Sequence, residues 1–366
     1  MSRSRFLAGA LTICALGLCA DPAGAEPMFL SKSESRCTTC HYSPTGGGLL
    51  TPYGRLQSRQ ELSTTSGDSE QFLWGALGNA LGPVNLGIDI RPTHLHVEVP
   101  GNTTNRGILM NADLIGAVQA AGWTFYGEVG RRPEALGGDV YSYEYWISKQ
   151  IAGEWGVRGG RFFPAYGVRF ADHTSYNRSS LLFDRYDQIY GVEISHTTRR
   201  SLVQISGGPG RADLVLDDSG KDDATVAGRV QFDLNARNVL VGSGIFRSES
   251  ATEVENSAAG LAYGFSPWSR LTIWTQADAK VRDEDNGNSF VFTNETSVEA
   301  LRGVWLKVSP QLRTESGAAP GFLRWKYEAN LLPRTHWNVM VSYYRDKNRQ
   351  SGSVSHLLMT QLHVYL

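Results

Sequence analysis

The sequence predicts an all-β fold, an antiparallel barrel of the outer-membrane type with about sixteen strands, preceded by a small segment that is not part of the barrel. Three observations carry this. From Pro83 to Leu366 the chain reads as segments of roughly ten residues with period-two alternation of apolar and polar side chains. The connections between those segments alternate between tight and long. After the first 25 residues no run of eighteen apolar residues occurs, so no helix can cross a bilayer, and a membrane form of this chain has to be a closed barrel.

Taken in order, the chain opens with Arg3 and Arg5 before an apolar run from Phe6 to Ala20, and Ala23-Gly24-Ala25 forms a small-residue cleavage site before Glu26. Residues 1–25 are therefore read as a secretory signal peptide. Cys14 and Cys19 fall inside it, and the large Leu18 before Cys19 does not suit a lipoprotein signal. Balanced charge, with 35 basic against 36 acidic residues, argues against a nucleic-acid partner.

Residues 26–82 form a Ser-, Thr- and Gly-rich preface too short for a large core. It contains Cys37-Thr38-Thr39-Cys40-His41, the C-x-x-C-H attachment pattern of a c-type haem. Two cysteines three apart can each add their S–H across one vinyl group of the same macrocycle, and the adjacent His41 can take the iron as proximal ligand. A closed zinc site would need four ligands, and the mature chain has no further cysteine to supply one. A thioredoxin-like dithiol would open a helix after a strand, a pattern missing around the motif. One covalent haem c is the expectation, which agrees with export.

Downstream, Gly46-Gly47-Gly48 allows close passage of the backbone past a flat macrocycle or, equally, a plain flexible turn. Leu49, Leu50 and Tyr53 are candidates to cover a haem face. Arg55 is a candidate partner for a propionate, or an exposed helix-surface arginine. A short helix is expected over Glu70 to Leu81.

The signal peptide, the C-x-x-C-H close behind it and the run Leu50-Thr51-Pro52-Tyr53-Gly54-Arg55 together resemble the fused outer-membrane cytochrome-porins of iron-oxidising bacteria. The motif match covers about Arg36 to Arg55, and the glycine triplet with Pro44 departs from the pattern of the iron oxidases. The resemblance implies a monohaem segment followed by a porin-like barrel that carries electrons across the outer membrane. Periplasmic c-type cytochromes would be its partners on one side and an extracellular donor or acceptor such as iron on the other. Metal oxidoreductase activity is left open.

Residues 83–366 form the expected barrel. In the stretch from Phe322 to Leu331, Leu323, Trp325, Tyr327, Ala329 and Leu331 share one face, and Arg324, Lys326, Glu328 and Asn330 share the other. Leu271 to Arg282 and Thr225 to Leu234 show the same division. Sixteen strands are expected, starting near Val84, Gly107, Trp123, Asp139, Trp155, Tyr186, Arg200, Asp223, Arg237, Glu255, Arg270, Ser289, Val304, Gly321, His336 and His356. An even number returns both termini to the periplasmic side. Trp123, Trp155, Trp268 and Trp337 stand at that end, as in an aromatic girdle. The last strand ends Leu362, Val364, Leu366 on one face, like a barrel-assembly signal with leucine in place of the usual aromatic.

The longest connection, Phe163 to Tyr186, carries Arg169, Asp172, His173, Arg178, Asp184 and Arg185. It is expected either to fold inward as a constriction, where it could meet a metal substrate, or to remain a solvated loop. For the distal side of the haem, His94, His96 and His363 are the first candidates on the expectation that all three face the lumen. Met28, His196, His336 and Met359 stand behind them.

Two function classes follow: an electron conduit, and a diffusion porin in which the haem segment is a structural plug, sensor or gate. A soluble periplasmic enzyme would need a catalytic constellation, and the sequence offers none beyond the haem motif. Oligomeric state is not readable.

Overall fold

The computed structural model describes residues 27–65, 82–131, 140–172, 174–182, 187–209, 223–250, 253–282, 288–316 and 321–366. The expected signal peptide, the helix expected over Glu70 to Leu81, and His173, Asp184 and Arg185 lie outside the described residues.

The sheet is built from β1 (Val84–Val99), β2 (Asn102–Ala120), β3 (Trp123–Arg131), β4 (Val140–Tyr141), β5 (Tyr145–Ala152) and β6 (Trp155–Phe162). It continues through β7 (Ile189–Thr197), β8 (Ser201–Pro209), β9 (Ala224–Asn235), β10 (Asn238–Glu249), β11 (Val254–Trp268) and β12 (Leu271–Arg282). It ends with β13 (Ser289–Leu301), β14 (Val304–Glu315), β15 (Phe322–Arg334), β16 (Trp337–Asn348) and β17 (Val354–Tyr365). Every neighbour is antiparallel, and β1 pairs with both β2 and β17, so the sheet closes. Because β4 and β5 both pair with β3, they are two pieces of one interrupted stave, and the seventeen segments make a sixteen-stave barrel. Closure leaves no unpaired edge, which is what a sheet immersed in lipid requires.

Side-chain alternation sets the barrel's polarity. On β15, Trp325 and Tyr327 are exposed while Lys326, Glu328 and Asn330 are buried inside. On β9, Val226, Phe232 and Leu234 face out, and Gln231 and Asp233 are buried. The outer wall is apolar and the inner one polar, the reverse of a soluble sandwich. Trp123, Trp155 and Trp268 are exposed at the end where the tight turns lie.

One connection departs from the expected alternation. The first outer hairpin zips up to Val99↔Asn102, with residues 100–101 as its whole tip, so β2 starts before Gly107. Gly101 takes a positive φ of 81°, the left-handed conformation a two-residue hairpin needs. Thr103 and Thr104 then extend the ladder beyond the position read from alternation.

The lumen is filled from two directions. The N-terminal segment, residues 27–65, lies inside the barrel: Leu30 packs with Val239, Val241 and Trp274, Phe29 with Trp305, and Leu49 with Ile115, Tyr126 and Phe162. From the opposite side, the long connection after β6 folds inward. Ala165 N–H donates to Ser206, Tyr166 Oη to Asp278 at 2.8 Å, and Tyr176 N–H to Gln311 at 2.9 Å. Those acceptors belong to β8, β12 and β14, so the loop spans the lumen. Lys326 on β15 clamps it further, with Nζ 3.1 Å from Asp172.

Candidate cofactor site inside the barrel

The C-x-x-C-H motif occupies one helical turn, α1 (Cys37–Cys40), closed by His41 N–H donating to Cys37 O at 2.9 Å. The three-residue spacing puts both thiols on one face. α1 is backed by α2 (Pro52–Gln57), in which Thr51 caps the helix by accepting from Gly54 N–H at 3.1 Å, and Pro52 starts it. Thr51 also binds back to α1, its N–H donating to Cys40 O and its hydroxyl to Thr39 O. A Cβ on Gly54 would overlap the Cys40 carbonyl, so glycine sets how closely the two turns stack.

Between α1 and α2 the chain makes a small hairpin, with His41 bridging Leu50 and Tyr42 N–H donating to Leu49 O. Its tip is the glycine triplet, with φ of 83°, 76° and 61° at Gly46, Gly47 and Gly48. Three successive left-handed residues are accessible to glycine at little cost. A Cβ on Gly46 would stand 3.2 Å from Cys37 Sγ, so the triplet serves both the turn and the space around the first thiol.

Cys37, Cys40 and His41 line one internal cavity of about 220 Å³, against the roughly 10–15 Å³ on the same measure that one water needs. Its apolar walls include Met28, Leu50, Met110, Ile115, Phe163 and Phe170, and Arg91, Arg169 and Arg178 bring positive charge to it. Burial, reinforced by the Arg169 guanidinium, lowers the His41 pKa to about 4 against the opposing pull of the Gly47 and Gly48 backbone, so its ring is neutral and carries a lone pair. His41 Nδ1 is buried without a hydrogen-bond partner. Burial, then Glu34 and Cys37, push the Cys40 thiol up, keeping it protonated. Among the described residues no group of three or more His, Cys, Asp and Glu side chains could hold a bare metal ion.

These features fit a haem c: two thiols on one face of a turn, a neutral imidazole next to them, and a cavity with apolar walls that also carries charged groups of both signs, Asp89, Asp113, Glu128 and Glu144 beside the three arginines. Cys37 and Cys40 would hold it through thioethers and His41 through its ring. Several other candidates are placed differently. Tyr53 is 39% exposed, with its hydroxyl donating to Glu34 at 2.7 Å, and does not line the cavity. Arg55 is buried rather than on an exposed helix surface, and it donates to Leu86 O at 2.6 Å, again away from the cavity lining.

The expectation that His94 and His96 face the lumen is corrected. On β1 the inward positions are Asp89, Arg91 and Thr93, with Thr93 accepting from Gln361 inside the barrel. His94 and His96 therefore point out, and His96 contacts Asn105 and Glu98 near the outer hairpin tip. Leucine and valine at 95 and 97 suggested a lipid face, but Leu95 packs inward beside Met110, Tyr344 and Met359. An apolar patch in the lumen inverted the local reading of alternation.

His363 does face the cavity, with Nε2 3.2 Å from Asp89. Met28 lines it as well, whereas His196, His336 and Met359 do not. His196 lies by Glu154 at a tight turn, and His336 is buried in the turn between β15 and β16. Met110, Tyr126, Glu128 and Phe170 carry no sequence signal as lining residues, since only the closure of the barrel and the infolded loop bring them there.

Fold and site together define a class: a sixteen-stave barrel of porin type whose lumen holds an N-terminal C-x-x-C-H segment. Solved structures agree on the barrel. The chain is similar to an anion-selective porin from Comamonas acidovorans, at 9% identity and TM-score 0.62, covering 77% of this chain and 99% of that one. It is similar to OprB of Pseudomonas putida, at 8% identity and TM-score 0.64, covering 85% and 100%. It is also similar to a loop-deleted OmpT of Vibrio cholerae, at 10% identity and TM-score 0.61, covering 77% and 99%. No protein-family model matches the chain, and no curated protein does. At these identities the likeness is one of fold.

Proposed function

We propose that this protein is an outer-membrane electron conduit, in which one haem c bound through Cys37, Cys40 and His41 inside the barrel links periplasmic c-type cytochromes to an extracellular donor or acceptor such as iron. The observation that carries this reading is where the motif lies. Its cavity runs from Leu332 and Tyr365, near the ends of β15 and β17, to Phe163, Phe170 and Arg178 of the infolded loop. A single haem is short against an apolar band about 25 Å tall, so a conduit needs it within the lumen and not at the mouth. Bound there, haem c supplies reversible one-electron transfer.

The chain's own residues prepare the place. The α1 turn presents both thiols, and the neutral His41 ring offers its lone pair. Arg169 and Arg178, which reach the cavity from the infolded loop, are the cations that would meet anionic groups on a bound macrocycle, while Arg91 is already paired with Asp89.

The second reading is a diffusion porin in which the segment is a plug, sensor or gate. It is favoured by the barrel's likeness to porins. Liposomes carrying the protein separate the two. The conduit passes electrons between an internal dye and an external chelated-iron couple, and the Cys37→Ala, Cys40→Ala barrel passes none. Free flux of small sugars with the dye's redox state unchanged would overturn the conduit and leave the porin.

A further inference from the structure

Besides His41, the histidine and methionine side chains that line the cavity among the described residues are Met28, Met110 and His363. Two of them are engaged. Gln361 Nε2 donates to the Met110 sulfur at 3.3 Å, tying that side chain into a cluster on the wall with Tyr344 and Met359. His363 Nε2 is 3.2 Å from Asp89 Oδ1, and Asp89 is in turn held bidentately by Arg91 at 2.7 and 2.8 Å. Recruiting His363 would turn its ring away from Asp89. The Met28 sulfur has no polar partner among the described residues, and the residue is 1% exposed.

The backbone around Met28 is fastened by side chains of the wall and of its own turn. Met28 O accepts from Thr272 Oγ1 at 2.9 Å and from Ser31 Oγ at 3.0 Å, and Pro27 O accepts from Trp274 Nε1 at 2.8 Å. Thr272 and Trp274 belong to β12, so the turn Pro27–Lys32 is fastened to the wall. The chain then reverses at Ser33, a non-glycine residue with φ of 68°, closed by Ser33 N–H to Leu30 O and Glu34 N–H to Phe29 O. That reversal returns the chain to α1, so Met28 and Cys37, nine positions apart, line the same cavity. The Met28 side chain packs with Phe29, Leu62, Trp305 and Leu332 where it borders the cavity.

We infer that Met28 is the second axial ligand of the haem, its sulfur binding the iron on the side opposite His41. This rests on the conduit reading only as far as covalent haem. No bond breaks and no electron moves on ligation: a thioether lone pair fills an open iron position. Methionine opposite histidine raises the reduction potential relative to two imidazoles, which suits exchange with a high-potential couple such as iron.

The test uses full-length protein purified in detergent, with covalent haem first established by staining at the barrel's mass on a denaturing gel. The ferric parent should be low-spin with the red sulfur-to-iron charge-transfer band of methionine ligation, and its absence overturns the inference with no variant needed. Met28→Leu should lose that band, turn high-spin and shift the midpoint potential downward. Met28→His should stay low-spin without the band, again at lower potential, which separates ligation from packing if the leucine variant assembles poorly. Met110→Leu and His363→Ala should leave the band in place. An unchanged Met28→Leu spectrum, or loss of the band in Met110→Leu, overturns the assignment. A parent without stained haem would be a different failure, that of the conduit itself.

Discussion

Replacing Asp233 by alanine should release the N-terminal segment from the barrel wall without unfolding the barrel. Arg36 precedes the first cysteine, and its Nε lies 2.7 Å from Asp233 Oδ2 on β9, with the two side chains only 6% and 7% exposed. The remaining guanidinium hydrogens go to Thr198 O and Arg199 O in the β7–β8 turn, while Ser35 Oγ also donates to Asp233. Removing the carboxylate leaves a buried cation with only carbonyl partners, a loss of about 3–5 kcal/mol. At about 1.4 kcal/mol per decade, the open form of the segment rises roughly 100- to 1,000-fold or more. Tryptic cleavage at Lys32 and Arg59 reads that population directly when reclosing is faster than cutting. Arg36→Met with Asp233→Leu should recover most of the protection, because no charge then stays buried. A cleavage rate for Asp233→Ala within threefold of the parent, or a double variant no better protected than the single one, refutes the reasoning.

Gly54→Ala should abolish most haem staining while leaving the barrel assembled, as judged by different migration of boiled and unboiled samples, because the new Cβ meets the Cys40 carbonyl. His94→Ala and His96→Ala should leave the haem spectrum unchanged, since both rings lie on the outer wall; a spin-state change in either would place that histidine inside. Lys326→Met removes the cation shared by Asp172 and Glu328, leaving two buried carboxylates without it, and should loosen the infolded loop, seen as larger and noisier single-channel currents. Steady currents identical to the parent would mean that the loop is held without this clamp.

Much of the barrel was legible because its signal is repetitive. Period-two alternation gave fifteen of the strand starts within a few residues, and failed at Gly107, where a turn of residues 100–101 let the ladder run on. The same alternation misled at His94 and His96, because an apolar cluster in the lumen around Leu95 and Met110 imitates a lipid face. A plugged barrel has apolar side chains on both surfaces, and no local pattern distinguishes them. That Cys37, Cys40 and His41 stand together follows from their spacing, whereas the residues that enclose them were not legible. Met28 lies nine residues before Cys37 and Arg169 lies 129 residues after Cys40, and only the folded loop and the fastened turn bring them to one cavity. Arg55 shows the complementary limit: a basic residue near a haem motif reads as a propionate partner, yet its guanidinium serves a wall carbonyl.

The seam of the barrel carries a consequence for the order of events in the protein's life. Leu366 N–H donates to Ile88 O at 3.0 Å, and Leu366 and Leu49 crowd the same glycine, Gly87, where a Cβ would overlap both. The last residue of the chain thus shuts the wall directly against the segment that holds the thiols, and Cys40 is 7% exposed once it has done so. A ligase that joins a macrocycle to those sulfurs needs them in the open. Under the conduit reading, loading would have to precede closure, and the barrel would form around a segment already carrying its macrocycle. Pulse-chase samples should show stain appearing before heat-resistant folding, and the reverse order would show that the seam is no such checkpoint.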